Sequence, residues 1–371
     1  MTVTYHEFVD KLSSSGLMTL DELADFEQSH PSSATGTVEA FANSLVRHYK
    51  LTEFQADIIQ KSLPIPLVIG DYFLLDKIGQ GGMGVVYKAR PRNSFDLVAL
   101  KMVSPEVCED EISLRRFRRE VDVALRLAHP NIVAALDVGQ HEGQDFFVME
   151  LVEGQNLGLV VDPDHLPSVL TAFEYVIDAA RGLAYAHAKG VIHRDIKPTN
   201  ILIHRNGTAK LLDMGLARVI DRERRNTSTT TITEITRQGA VMGTADYMAP
   251  EQALNSKNAD ERADIYSLGC TMHYAFTGRE MYGGETAMER IVAHREQPIP
   301  SLRTVRSDVA VEVDRIFQRM VAKQPEDRYQ TMAAAIAEME QCRAEFGHMW
   351  MIRRFIAERK LGPQSQSDQD L

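Results

Sequence analysis

The sequence predicts an α+β protein laid out in consecutive blocks, and three observations lead there. Residues 1 to about 63 carry apolar residues at helical spacing. From about residue 72 the period changes to strand-like runs broken by glycine-containing turns, and after "LVEG" at 151–154 the chain becomes mainly helical. The order is therefore a small N-terminal helical region, a linker, a mostly β block and a mostly α block.

The first block reads as "TYHEFVDKLSSSG", "TLDELADFEQ", "TVEAFANSLVRHY" and "LTEFQADIIQKSL". Thr19 and Thr52 each precede an acidic residue and an apolar-periodic run, which is an N-cap signal. "SLPIPLVIGDY" at 62–72 breaks the pattern, because two prolines in three positions favour an extended linker over 64–71. "YFLLDKIG", "GVVYKAR" and "LVALKMV" read as strands. A charged helix follows over about 110–128, then two strands joined by a glycine-containing loop in "NIVAALDVGQHEGQDFFVMELV". A hinge falls near 150–155. The end of the chain, 342–371, reads as a helix followed by a polar, disordered tail, "GPQSQSDQDL".

Composition narrows the function classes. With 371 residues, 44% hydrophobic and 25% charged, the chain is an ordinary globular protein with a sizeable core. The net charge of -11 disfavours non-specific nucleic-acid binding, and "RRFRRE" at 115–120 reads as a local solvated helix face. Cys108, Cys270 and Cys342 lie far apart with no CxxC pair, as expected of reduced thiols. "MTVTYHEFVDKL" has no secretory pattern, and no uncharged apolar stretch approaches the roughly 18 residues that cross a bilayer. Cytoplasmic placement, without a membrane span, is the expectation.

The chemistry-bearing motifs begin at "IGQGGMGVV", residues 78–86, which fits G-x-G-x-x-G-x-V through Gly79, Gly81, Gly84 and Val86. Side-chain-free backbone N–H groups can approach phosphate oxygens closely. The same spacing serves dinucleotide folds, but there a helix follows, and here a strand does. Lys101 lies in "VALKMV", where its charge needs a partner; Glu120 on the following helix is the main candidate and Glu109–Glu111 are alternatives. "VIHRDIKPTNILI" at 191–203 sets Arg194, Asp195, Lys197 and Asn200 between apolar flanks. Asp195 can accept a hydroxyl proton and Lys197 can neutralise charge on a transferring phosphoryl group. Asn200 and Asp213, in "LLDMG", offer oxygen ligands suited to a hard cation. Each residue alone has a bland explanation as a turn acid or a cap, but together and in this order they point to phosphoryl transfer.

These residues resemble the eukaryotic-like (Hanks-type) protein kinases over about residues 72–341, with details such as "GQGGMGVVYKA" resembling the bacterial branch. The matching elements are the Gly-rich loop, Lys101, Glu120, "HRDIKPTN", Asp213–Gly215 and "APE" at 249–251. The resemblance implies a bilobal protein kinase-like fold, with a β-rich N-lobe and an α-rich C-lobe. It implies ATP and Mg²⁺ as cofactors (Mn²⁺ as an alternative), protein substrates, and serine/threonine specificity from Lys197 two residues after Asp195. By resemblance Asp195 is the catalytic base, Lys101 holds the α- and β-phosphates braced by Glu120, and Asp213 and Asn200 hold the metal. The nucleotide would meet Ile78, Gly79, Gln80, Gly81, Gly82, Met83, Gly84, Val85 and Val86 of the loop. Val86, Ala99 and Leu202 would sandwich adenine, with Met149 as gatekeeper and Glu150 and Val152 presenting backbone groups. Glu251 with Arg328 resembles the family's structural ion pair, and Asp264 the acid that anchors the catalytic loop.

Two departures from the commonest family pattern stand out. Met214 replaces the usual phenylalanine and should still fill an apolar slot. Ala124, four residues after Glu120, is smaller than usual and should loosen that helix, lowering the active fraction. The threonine-rich segment "NTSTTTITEITRQGAVMGT" makes Thr236 and Thr233 the candidates for autophosphorylation, with Arg194 as a phosphate clamp. Thr244 should contact Asp195 and Lys197. The helical cap is open to docking substrates, dimerising or inhibiting, and self-association is open through it or the kinase domain. The rival functions are a pseudokinase scaffold, a small-molecule phosphotransferase and a nucleotide-binding oxidoreductase. Against them stand, in turn, the retained Lys101, Asp195, Asn200 and Asp213; the "APE" element with its long loop; and the strand after the Gly-rich turn.

Overall fold

The computed structural model describes residues 3–30, 37–81, 84–104, 121, 123–214, 242–254 and 259–345. The chain divides into two compact units, one of Met1–Arg126 with Ala134–Leu151, the other of Leu127–Val133 with Val152–Leu371.

In the first unit four helices open the chain: α1 (Tyr5–Ser14), α2 (Leu20–Ser29), α3 (Val38–Arg47) and α4 (Glu53–Lys61). Each starts at a threonine in extended conformation, Thr4, Thr19, Thr37 and Thr52, whose hydroxyl accepts an N–H from the first turn. Glu7, Glu22 and Gln55 complete reciprocal capping boxes with Thr4, Thr19 and Thr52. Each cap contributes about 1 kcal/mol, which matters for helices of only three turns. Phe8, Leu12, Leu23, Phe26, Phe41, Leu45, Ile58 and Ile59 recur at helical spacing and form their shared core.

An antiparallel sheet follows: β1 (Val68–Ile69), β2 (Tyr72–Gly81), β3 (Gly84–Pro91), β4 (Val98–Val103), β5 (Ala135–His141) and β6 (Gln144–Glu150), in the order β1-β2-β3-β4-β6-β5. Glu142 and Gly143 link β5 to β6 with φ of 48° and 81°, the positive-φ turn that matches hairpin twist. The proline-bearing stretch before β2 supplies β1, and it buries Leu67 with the helices and Ile69 with the sheet.

The sheet register sorts side chains onto two faces. Leu74 pairs with Ala89, Tyr87 with Leu100, Leu100 with Val148, and Met102 with Phe146; these residues make one apolar core. Phe54 of α4 and Ile65 pack against both this core and the helical one, so helices and sheet share a continuous apolar layer. The opposite face carries Val86 opposite Lys101, and Ala99 opposite Met149. In the charged segment after β4, the described residues are helical only around 121–124, where Ala124 is buried. Residues 125–128, predicted as the end of that helix, form a turn and irregular chain instead, and 105–120 and 122 lie outside the described residues.

The second unit has a short sheet, β7 (Gly154–Asn156), β8 (Ile201–His204) and β9 (Ala209–Leu211), in that order. Around it stand α5 (Leu157–Val160), α6 (Val169–Ala188), α7 (Met242–Ala245), α8 (Pro250–Leu254), α9 (Glu261–Thr277), α10 (Ala287–Glu296), α11 (Leu302–Val305) and α12 (Val311–Met320). A helix over 332–345 follows and buries Cys342 at the point where the sequence suggested a boundary. The tail after 345 lies outside the described residues. Helix α9 is buried almost all round, from Ala263 to Thr277, and forms the axis of this unit. Gly269 allows the packing: a Cβ there would meet Val321 Cγ1 at 2.5 Å. Among the described residues, no helix is long and apolar enough to cross a membrane.

Arg328 sits at the base of this unit with its side chain fully buried. Its Nη1 and Nη2 donate to Glu251 Oε1 and Oε2 at 2.7 and 2.8 Å. Its remaining donors reach the carbonyls of Ala322, Arg262 and Lys323 at 2.7, 3.0 and 3.1 Å, so the whole guanidinium fork is satisfied. Removing the carboxylate strands a buried cation. Glu251→Ala is therefore predicted to lower unfolding free energy by about 3–5 kcal/mol in urea titration. A loss below about 1 kcal/mol, the range of an exposed pair, would contradict the role given to this ion pair.

Candidate active site

The candidate catalytic residues lie between α6 and β8, on a segment with little regular structure apart from a 3₁₀ turn at Pro198–Asn200. Such a segment needs outside partners for its backbone. Val191 and Ile196 anchor it in the core, and the decisive partner is Asp264 on α9. Asp264 is completely buried. Its Oδ2 accepts the backbone N–H of His193 at 2.8 Å and its Oδ1 accepts that of Arg194 at 2.7 Å. His187 Nε2, at the end of α6, donates to Oδ2 at 2.8 Å. Burial alone pushes this carboxyl up. The bond from His187, the neighbouring imidazoles and the Arg194 N–H outweigh burial and hold it below the usual carboxylate range. Arg194 takes a left-handed φ of 66°, a strained state for a side-chain-bearing residue that the two Asp264 bonds enforce.

From there the bonding passes to the reactive groups. His193 Nε2 lies 2.8 Å from Leu212 O, an acceptor, so Nε2 carries the hydrogen and Nδ1 accepts Asp195 N–H at 3.3 Å. Leu212 N–H donates to Asn200 O at 2.9 Å. Leu212 is thus held on both sides, which fixes the start of Asp213, itself at φ 53°. Met214 is buried, filling the apolar slot expected of it. Gln252 Nε2, on α8, donates to Arg194 O at 2.8 Å, and Arg194 Nη2 donates to Ala259 O at 3.1 Å.

Asp195 is the convergence point. Lys197 Nζ lies 2.9 Å from its Oδ2, and Asn200 Nδ2 donates to that oxygen at 3.0 Å and to Asp195 O at 2.8 Å. The Thr244 hydroxyl donates to Asp195 Oδ1 at 3.3 Å while accepting from Lys197 Nζ at 3.0 Å. Since Asn200 commits its NH₂ to Asp195, its amide oxygen is the end left to face a cation. That oxygen and the Asp213 carboxylate are hard oxygen donors, the ligand type that suits Mg²⁺. Among the described residues, no group of three or more His, Cys, Asp or Glu side chains could hold a metal.

In the first unit, Ile78, Gly79, Gln80 and Gly81 end β2, and Gly84, Val85 and Val86 begin β3. Gly84 (φ 135°) admits no side chain, because a Cβ would lie 1.8 Å from Met102 O. Gln80 accepts from Lys77 Nζ at 2.7 Å. Lys101 and Ala99 are buried on β4, Met149 is buried on β6, and Glu150 ends β6. Val86, Ala99, Lys101 and Met149 share the sheet face opposite the apolar core. Val152 and Leu202 belong to the second unit, with Leu202 on β8. Glu120, Glu109–Glu111, Gly82, Met83, Gly215, Thr233 and Thr236 lie outside the described residues.

Two participants went unnoticed in the sequence, His187 and Gln252, and His193 was read within "HRDIKPTN" without a role of its own. "AHAKGVIHRD" held a signal for the two histidines, since polar rings within apolar segments need partners, but Gln252 offered none.

The family model for the protein kinase domain matches residues 72–340. The serine/threonine-protein kinase PknB of Mycolicibacterium smegmatis is 37% identical over 273 residues, covering 72% of this chain and 42% of that protein. The serine/threonine-protein kinase PknH of Mycobacterium bovis is 37% identical over 268 residues, covering 71% and 42%. The chain thus spans less than half the length of these curated relatives. Among solved structures, the kinase domain of Mycobacterium tuberculosis PknI is similar with a TM-score of 0.57 at 26% identity, covering 74% of this chain and 97% of that one.

Asp264 makes stability pH-dependent in a defined sense. Its folded pKa is lowered, so its contribution is present above the ordinary carboxylate pKa of about 4 and is lost as pH falls below it. Asp264→Asn should lower the urea midpoint near neutrality and flatten the acid limb of the stability curve. Parallel curves for the two proteins between about pH 5 and 2 would contradict this.

Proposed function

Since the chain belongs to the protein kinase family, we propose that it transfers the γ-phosphoryl group of ATP to serine or threonine hydroxyls of proteins. The observation that carries this reading is the Thr244 hydroxyl. An alcohol on a β-branched carbon donates to Asp195 and accepts from Lys197, which are the two contacts an acceptor serine or threonine needs. An incoming alcohol that replaces it gives its proton to Asp195 Oδ1 while its oxygen bonds the γ-phosphorus. The bond between that phosphorus and the bridging oxygen breaks, and ADP leaves with the electron pair. Lys197, 2.9 Å from Asp195, offsets charge building on the transferring group.

Asn200 and Asp213 are the residues proposed to hold Mg²⁺, which when bound neutralises phosphate charge. Lys101 is proposed to hold the α- and β-phosphates with Glu120 as its partner, and the 78–86 loop to cover them. Ala99, Val86 and Leu202 are assigned to the adenine ring, with Met149 beside it and Glu150 and Val152 giving backbone contacts. A scaffold without chemistry is disfavoured because Lys101, Asp195, Asn200 and Asp213 are all retained. The proposed organisation is a helical cap to residue 63, a linker over 64–71, the kinase domain over 72–341 and a C-terminal segment beyond. A cytoplasmic setting is proposed because the reaction needs ATP; Cys270 and Cys342, both free thiols, agree with it.

The test is purified protein with labelled ATP, Mg²⁺ and a generic basic protein. Asp195→Asn should cut transfer by about 10²–10⁴. Transfer undiminished in this variant would remove Asp195 from its role. After incubation with ATP and Mg²⁺, mass spectrometry should place phosphate within residues 226–238, at Thr233 or Thr236. Phosphate confined to other segments would contradict the autophosphorylation reading.

A further inference from the structure

The Gly-rich hairpin has two irregularities, between Leu74 and Asp76 and between Lys77 and Gly79, and the N-terminal helices are bonded to the first. In the β2–β3 ladder Leu74 pairs with Ala89 but Asp76 pairs with Lys88, so Leu75 is an extra residue in β2. Such a bulge bends the strand and turns backbone groups out of the ladder. The carbonyls at the bulge are met by α4. Gln55 Nε2 donates to Leu74 O at 2.7 Å, and Thr52 Oγ1 donates to Leu75 O at 2.7 Å. Both side chains are tied down at their other ends. Gln55 Oε1 accepts Thr52 N–H at 2.9 Å, and Thr52 Oγ1 accepts Gln55 N–H at 3.2 Å. The capping box of α4 is therefore also the clamp on the bulge. Gln55 is 4% exposed, so this clamp works where water does not compete.

Apolar packing reinforces it. Phe54 lies with its ring 6.1 Å from that of Tyr87 on β3, within the same hairpin. It and Ile65 extend the helical core over the sheet face that carries Leu74, Leu100, Phe146 and Val148. Leu74 N–H donates to Leu67 O at 2.9 Å, which ties the incoming strand to the same place. The helices thus back the sheet on the face opposite Val86 and Lys101. Only three residues separate Leu75 from Gly79, where the phosphate-handling loop begins.

We infer that the N-terminal helices are a brace for the nucleotide-binding hairpin, with Thr52 and Gln55 as positioning residues that act through the Leu75 bulge on residues 79–86. This deepens the kinase reading and rests on it for the identity of the nucleotide. The coupling is reciprocal: whatever the brace contributes to nucleotide affinity, bound nucleotide returns as stabilisation of α4.

The experiment uses the full chain and Mg²⁺ with a non-hydrolysable ATP analogue. Gln55→Met keeps length and neutrality but removes both the donor to Leu74 O and the acceptor of the Thr52 N–H; Thr52→Val removes the hydroxyl, and Thr52→Ser keeps it. Gln55→Met and Thr52→Val should weaken analogue binding and raise the KM for ATP by about five- to tenfold, the effect of losing the one hydrogen bond that each side chain makes to the bulge. The kcat should stay within about twofold, because Asp195 is untouched, and Thr52→Ser should behave as the unaltered protein. A lowered melting temperature with unchanged analogue affinity would reduce both residues to fold stabilisers and overturn the inference. Hydrogen exchange on the unaltered protein decides independently should the variants misfold. The analogue should slow exchange at 53–61 as well as 79–86; slowing at 79–86 alone overturns the brace. If the unaltered protein binds the analogue but transfers no phosphate, the kinase reading fails while the brace stands. If it binds no analogue, the reading fails and exchange at 72–91 in Gln55→Met decides: faster exchange there supports the brace, unchanged exchange overturns it.

Discussion

The carboxylate of Asp264 is the constraint on which the second unit's chemistry depends. A loop with almost no regular structure has to be held at atomic precision inside a protein core. Two backbone N–H groups and one imidazole converge on a fully buried anion, and their bonds outweigh its desolvation. Its seat on α9, buried nearly all round, keeps it from relaxing toward solvent. The strained backbone of Arg194 then follows, and that residue's geometry sets the direction in which Asp195 leaves the loop.

Beyond that anchor the site is a relay of single hydrogen bonds, each with one acceptable donor and acceptor. His193 joins Leu212, the residue before Asp213, to the N–H of Asp195, and Asn200 joins the same residue to the Asp195 carboxylate. Two groups far apart in sequence are thereby fixed by one set of contacts. Preorganisation of this kind places charge before the reaction needs it, which is where most electrostatic catalysis arises. In the first unit the same logic operates through a sheet. One face is apolar and covered by helices, and the other presents Lys101, Val86 and Ala99.

Much of this was legible in the sequence, for physical reasons. The change from helical to strand period, the glycines of the hairpin and the polar cluster within apolar flanks all reflect local constraints. Thr19 and Thr52 were readable as caps because capping is a short-range interaction, though Thr4 and Thr37 do the same work unremarked. What sequence did not reveal depends on contacts distant along the chain. Gln252 meets Arg194, 58 positions away, and Gln55 meets Leu74, 19 away, with no periodicity to announce either. The stretch with Pro64 and Pro66 read as a spacer, yet it supplies β1 and buried residues of both cores, because its alternate apolar side chains find a sheet edge beside them.

The loop anchored by Asp264 is proposed to present Asn200 and Asp213 to a divalent ion beside Asp195. Anomalous diffraction from a crystal grown with Mn²⁺ and a non-hydrolysable ATP analogue tests it most directly. The expected result is a manganese peak coordinated by Asn200 Oδ1 and an Asp213 carboxylate oxygen. Manganese bound to the analogue's phosphates with neither residue among its ligands would contradict it.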